Sequence, residues 1–191
     1  GVLFHLGEMV RLQGRLEEAQ ALYGECLERA PEDADLRLRV GVALLGAGQA
    51  DQALMVLLPV PAMRPDDSLA LVAVGWCLQE LGEVDQAIDL YQRAIAIDPA
   101  NIRARNLLGL CFGGQGRHAE AIREFRAGLE QEPNDYELRC NLAGSLRSQG
   151  FLEASMAEIE HLLADQPEQI DALGMQLFSC SIGSERLAPL A

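Results

Sequence analysis

Apolar residues recur along this chain at helical spacing, in stretches broken by a glycine or a proline. Leu69-Ala70-Leu71-Val72-Ala73-Val74-Gly75-Trp76-Cys77-Leu78 is apolar throughout, and Val84 to Ile95 carries apolar side chains every third or fourth position. Both patterns predict helices. Between them stands Gly82, suited to the left-handed conformation that caps a helix C-terminus. After the second comes Pro99, which lacks an amide hydrogen and restricts the residue before it. Helix, glycine turn, helix and proline stop make one unit.

The unit repeats. Pro31, Pro65, Pro99, Pro133 and Pro167 are each 34 residues apart, and Gly14, Gly48, Gly82, Gly116 and Gly150 keep the same step. Gly7, Gly41, Gly75, Gly109 and Ala143 form a third column; Ala19, Ala53, Ala87, Ala121 and Ser155 form a fourth. The small residues fall where two helix backbones approach. One helix pair buries too little apolar surface to offset the entropy of ordering it, so the units must stack.

This pattern of small residue, glycine turn, alanine, aromatic and proline resembles the tetratricopeptide repeat family. The third unit carries it best, through Leu71, Val74, Gly75, Leu78, Gly82, Ala87, Tyr91, Ala94 and Pro99. Leu6, Gly7, Gly14, Ala19, Tyr23 and Pro31 match in the first unit, and Leu108, Gly109, Phe112, Gly116, Ala121, Phe125 and Pro133 in the fourth. The resemblance implies an all-α, right-handed superhelical solenoid. Its five helix-turn-helix repeats are expected at 1–33, 34–67, 68–101, 102–135 and 136–169, with 170–191 as a degenerate sixth repeat or capping helix.

Two departures stand out. Pro59 and Pro61 interrupt the second helix of the second repeat, which is expected to end near Leu58 and continue as an irregular apolar segment. That segment is either a local irregularity or a hinge or contact site. The tail begins like a repeat at Ile170-Asp171-Ala172-Leu173 but keeps Leu177, Phe178 and Ile182 apolar, so it caps the fifth repeat, the parent protein continues, or both.

Composition narrows the function. The 15 basic residues are all arginine, set against 29 acidic ones, for a net charge of -14. Such a surface repels phosphate backbones and anionic lipid, which argues against nucleic acid and membrane as partners. No apolar run is long enough to span a bilayer. The start, Gly1-Val2-Leu3-Phe4-His5, has neither Met nor a signal-peptide layout and reads as the edge of an excised or processed chain. Five cysteines without a CxxC pair fit a reducing compartment, hence a cytoplasmic setting, with the periplasm as the alternative. Absence of lysine removes Schiff-base and P-loop chemistry, and points to an arginine-favouring bacterial genome.

Candidate chemistry is sparse. His5, His118 and His161 sit at no metal-ligand spacing, and Cys77 and Cys111 share one repeat slot that suits packing. Gly113-Gly114-Gln115-Gly116 follows a helix rather than a strand and so is a turn, not a phosphate loop. Glu17-Glu18, Glu32-Asp33 and Asp66-Asp67 fall at helix starts, where carboxylates cap and meet the helix dipole. No catalytic residue, metal or cofactor is expected. Arg37, Arg105 and Arg139 share the fourth slot, either laying their stems on the preceding repeat with their heads near its acids, or contacting a ligand.

In the family, ligands lie on the concave face lined by first helices. The slots that face inward give Phe4, Glu8, Leu38, Arg39 and Val42 from the first two repeats, and Val72, Trp76 and Gln79 from the third. Arg103, Asn106 and Leu110 follow from the fourth, then Asn141 and Arg147 from the fifth. Trp76 is either the centre of an apolar patch, where tryptophan dominates binding energies, or ordinary inter-helix core. Without lysine, and with Phe4 and Glu8 in its slots, the chain lacks the family's two-carboxylate clamp; with Asn141 alone in the sixth slot, it lacks the asparagine ladder.

The expected function is a non-catalytic scaffold binding a helical or extended apolar peptide in its groove, as adaptor or chaperone in a bacterial assembly or secretion system. A recruiting or regulatory domain of a larger enzyme, such as a transferase, is the rival reading. Self-association through the apolar C-terminal helix is a third.

Overall fold

The computed structural model describes residues 2–165, and every regular element among them is a helix. In order these are α1 (Val2–Leu12), α2 (Leu16–Arg29), α3 (Ala34–Gly46), α4 (Ala50–Leu57), α5 (Val60–Met63), α6 (Ser68–Glu80), α7 (Val84–Ile97), α8 (Ile102–Gly114), α9 (His118–Leu129), α10 (Tyr136–Ser148) and α11 (Leu152–Asp165). Five pairs form, α1/α2, α3/α4, α6/α7, α8/α9 and α10/α11, and each second helix also packs on the first helix of the next pair. First helices touch one another directly from α3 to α6 to α8 to α10. The result is a solenoid with one face made of first helices. The tail 170–191, and with it the sixth-repeat or capping-helix expectation, lies outside the described residues.

Sequence columns set the boundaries. Gly14, Gly48, Gly82, Gly116 and Gly150 all take positive φ, between 73° and 85°, and turn the chain between paired helices. The helix-start carboxylates expected at Asp33 and Asp67 do cap, and they belong to a column that Asn101 and Asp135 extend: each accepts a hydrogen bond from a backbone N–H two or three residues on. These side chains satisfy amide donors that have no partner inside the helix.

The third column governs spacing. A Cβ added at Gly7 would come within 2.7 Å of the Tyr23 ring, and one at Gly75 would come as near Tyr91. At Gly109 the Phe125 ring leaves 2.4 Å, and at Gly41 the Leu57 side chain leaves 2.2 Å. Each glycine on a first helix is thus the seat of a bulky side chain from the second. Tyr23, Leu57, Tyr91 and Phe125 are all fully or almost fully buried. The core forms two clusters along the stack and α6 contributes to both, Ala70, Val74 and Cys77 to one and Leu71 and Val72 to the other.

The second repeat departs from expectation in one respect. α4 does end at Leu57, but the prolines that follow do not leave an irregular segment. Pro59 caps and Pro61 enters the first turn of the short helix α5, where the amide a proline lacks would have had no partner. Val60 from this turn is completely buried.

The glycine seat yields a direct test. Gly109→Ala is expected to destabilise the protein by about 1–3 kcal/mol through overpacking against Phe125. Gly24→Ala, mid-helix with open space around its Cβ position, is expected to stabilise by about 1 kcal/mol through helix propensity. Urea midpoints decide; a rise for Gly109→Ala equal to that for Gly24→Ala would sink the seat argument.

Candidate peptide-binding groove

At the N-terminal end five of the sequence-derived residues converge. Phe4 and Glu8 from α1, and Leu38, Arg39 and Val42 from α3, line an open cavity of about 350 Å³ that Arg11, Ala43 and Gly46 complete. Phe4 is buried and Val42 is 40% exposed. The Arg39 guanidinium carbon lies 4.1 Å from the Phe4 ring centroid, a cation–π stack. Arg11 occupies a groove-facing slot and was not singled out from sequence, although slot counting alone reaches it.

Glu8 is already engaged. Arg11 donates to its two carboxylate oxygens at 3.1 and 2.9 Å, and the buried Tyr23 hydroxyl donates to it as well. The Arg11 guanidinium holds the Glu8 carboxyl below the usual range, against the upward push of partial burial. Burial, then the neighbouring Glu8, pushes the Tyr23 phenol up. This cluster fixes the cavity wall.

Farther along the face, Trp76 is half-exposed. Its Nε1 donates to Glu80 at 3.2 Å, and the Arg103 guanidinium carbon from α8 sits 4.7 Å from its ring. Leu110 follows, 38% exposed. Other sequence-derived residues serve the scaffold. Val72 is 3% exposed and joins the core. Gln79 accepts from the Tyr91 hydroxyl at 3.0 Å and from the Cys111 thiol at 3.3 Å. Asn106 is buried and accepts from Asn141 at 2.8 Å, so this pair ties the fourth repeat to the fifth. Arg147 is half-buried on α10 and forms no ion pair among the described residues. The apolar surface left open is therefore smaller than the slot inventory implies.

The fourth-slot arginines bind differently from expectation. Arg37, Arg105 and Arg139 do reach back, but to the carbonyls of Pro31, Pro99 and Pro133 at 2.9 to 3.1 Å. Their acidic partners belong to their own repeats: Glu124 lies 3.1 Å from Arg105 and Glu158 lies 2.7 Å from Arg139. Each acid stands 19 residues on, a distance along the chain that sequence periodicity alone does not single out. Among the described residues no group of three His, Cys, Asp or Glu side chains could hold a metal ion, and no helix is long and apolar enough to cross a membrane.

Family comparison agrees with this architecture. A tetratricopeptide repeat model matches residues 11–77 and 114–176, and a second TPR repeat model matches 78–116. The chain belongs to the tetratricopeptide repeat family. Among solved structures, this tetratricopeptide repeat chain superposes on MamA with a TM-score of 0.73 at 19% identity, covering 98% of this chain and 97% of MamA. It superposes on TTC0263, a thermophilic TPR protein of Thermus thermophilus, with a TM-score of 0.74 at 21% identity, covering 94% and 97% of the two chains. For YrrB, described as a TPR protein with an unusual peptide-binding site, the TM-score is 0.67 at 20% identity, covering 91% and 90%. At these identities the likeness is one of fold. The sequence has no match among curated proteins.

The cysteines of this TPR chain give a test of its packing. Burial pushes the Cys77 thiol up to about 12 and the Cys111 thiol up to about 11, so neither forms much thiolate near neutrality. Residue-resolved mass spectrometry after treatment with a maleimide at about pH 7.5, below both thiol values, is expected to find both unmodified in the native protein and both modified in urea. Rapid native labelling of either would mean that the repeat interfaces open.

Proposed function

We propose that this tetratricopeptide repeat protein is a scaffold that holds a peptide or protein segment along its first-helix face. The observation that carries this reading is the cavity between α1 and α3, where Phe4, Leu38 and Val42 supply apolar walls and Arg39 a polar lip. Trp76 and Leu110 extend the same face toward the fourth repeat. Pockets of this kind take an apolar anchor and orient it by a few polar groups. The fold shared with YrrB, whose description names a peptide-binding site, supports the same assignment.

In this reading the units divide at 1–33, 34–67, 68–101, 102–135 and 136–169, and the partner is a helical or extended segment of another polypeptide rather than nucleic acid or lipid. The protein's setting in this reading is that of an adaptor or chaperone in a bacterial assembly or secretion system, of which the lysine-free composition supports the bacterial part alone.

Site-specific photocrosslinking tests the face. A benzoylphenylalanine placed at Val42 or at Leu110 is expected to trap a discrete partner in the cells that make the protein. The same probe at Met55, 77% exposed on the second helix α4, is expected to trap none. Adducts confined to position 55, with both groove positions silent in a folded protein, would refute the proposal.

A further inference from the structure

Three arginines of the described chain stack on aromatic rings. Arg117 lies 4.2 Å from the Phe112 centroid, Arg39 lies 4.1 Å from Phe4, and Arg103 lies 4.7 Å from Trp76. Stacking fixes the guanidinium plane while leaving its in-plane N–H fork free to meet a carboxylate with two parallel bonds. Arg117 has such a carboxylate: its Nε and Nη2 donate to the two oxygens of Glu120 at 2.8 and 2.5 Å. Arg39 and Arg103 are both exposed, and neither forms an ion pair among the described residues.

The nearby acids have a nearer partner, although Glu8 and Asp35 still attract Arg39 through space. Glu8 is bound by Arg11, Asp35 pairs with Arg64 at 2.6 Å, and Glu80 accepts the Trp76 indole N–H. Among the described arginines that form no ion pair, Arg39 and Arg103 are the two that stack on an aromatic ring, and both stand on the first-helix face of a chain of net charge -14.

We propose that the partner of this face is an acidic, apolar segment whose carboxylates complete Arg39 and Arg103 as Glu120 completes Arg117. The inference rests on the groove reading above and names the chemistry of its ligand. α6 separates the helices carrying the two arginines and touches both. With packed helix axes about 8–10 Å apart, the two forks are about 20 Å from one another, a span of about six extended residues. Apolar side chains in that interval meet Val42 and Trp76. The protein's overall negative charge opposes encounter at a distance, but it is screened beyond about 8 Å at physiological salt. It therefore slows association more than it weakens contacts already formed.

Selection of random displayed dodecapeptides on the 191-residue chain tests this, with unselected peptides as the compositional reference. The expected pool is enriched in Asp or Glu at two positions about six residues apart with apolar residues between. Synthetic copies of enriched peptides are expected to bind Arg39→Gln and Arg103→Gln each about tenfold more weakly. They should bind Arg93→Gln, which alters an exposed arginine on α7, as they bind the wild type. A pool without acidic bias, or one rich in arginine and lysine as the overall charge alone would select, overturns the inference and leaves a peptide groove standing. Recovery of no enriched peptide by the folded chain overturns the groove reading as well. The composition selected by the wild-type chain decides between these outcomes even if a variant fails to fold.

Discussion

The close seat of a second-helix side chain on a glycine of the first helix determines the geometry of the stack. Tyr23 on Gly7, Leu57 on Gly41, Tyr91 on Gly75 and Phe125 on Gly109 occupy space that any Cβ would contest. Interiors packed to crystal-like density transmit such a contact to the positions around it. Once the two helices of a pair are held this closely, the remaining side chains of the first helix have only two places to go: against neighbouring repeats, or out onto the open face.

The same seat reaches the groove. Where the bulky residue is tyrosine, its buried hydroxyl donates to a polar side chain of the first helix, Glu8 for Tyr23 and Gln79 for Tyr91. Where it is Leu57 or Phe125, no hydroxyl arrives. The groove residues Val42 and Leu110, one turn or less beyond Gly41 and Gly109, are apolar and exposed. A buried hydroxyl requires a hydrogen-bond partner, so a tyrosine at the seat brings with it a polar side chain on the first helix, Glu8 or Gln79.

Periodicity made the scaffold legible. Glycines, prolines and alanines at one fixed step encode turns, stops and close approaches, each with a single dominant physical cause. Face assignment from slot number was coarser. Val72 and Asn106 occupy inward-facing slots yet are buried, because α6 and α8 pack against first helices on both sides as well as against their own partners. Slot arithmetic assigns a direction to a side chain but not the depth of the neighbour beside it. Pairings across repeats were likewise invisible. The stack of Arg39 on Phe4 and that of Arg103 on Trp76 each join residues whose slots differ, so no column in the sequence displays them. At Pro59 and Pro61 the residue type was read correctly as a helix stop, but its tolerance at the start of a new turn depended on where that turn began.

Lysine could not replace arginine at any of these places without loss. In the fourth slot the planar guanidinium of Arg105 spans two partners at once, the Pro99 carbonyl through Nε and Nη2 and the Glu124 carboxylate through Nη1. Arg139 repeats the arrangement with Pro133 and Glu158, and Arg37 substitutes the Val56 carbonyl where the second repeat has no acid. An ammonium is a strongly hydrated point charge and holds no such fork in a fixed plane. On the open face the argument sharpens, because stacking over Phe4 or Trp76 rewards a flat, weakly hydrated cation whose edge stays free for a ligand. A composition in which every fixed cation is an arginine thus has structural consequences here. It lets one residue type staple successive repeats together and, two helix positions away, present oriented donors to whatever the groove receives.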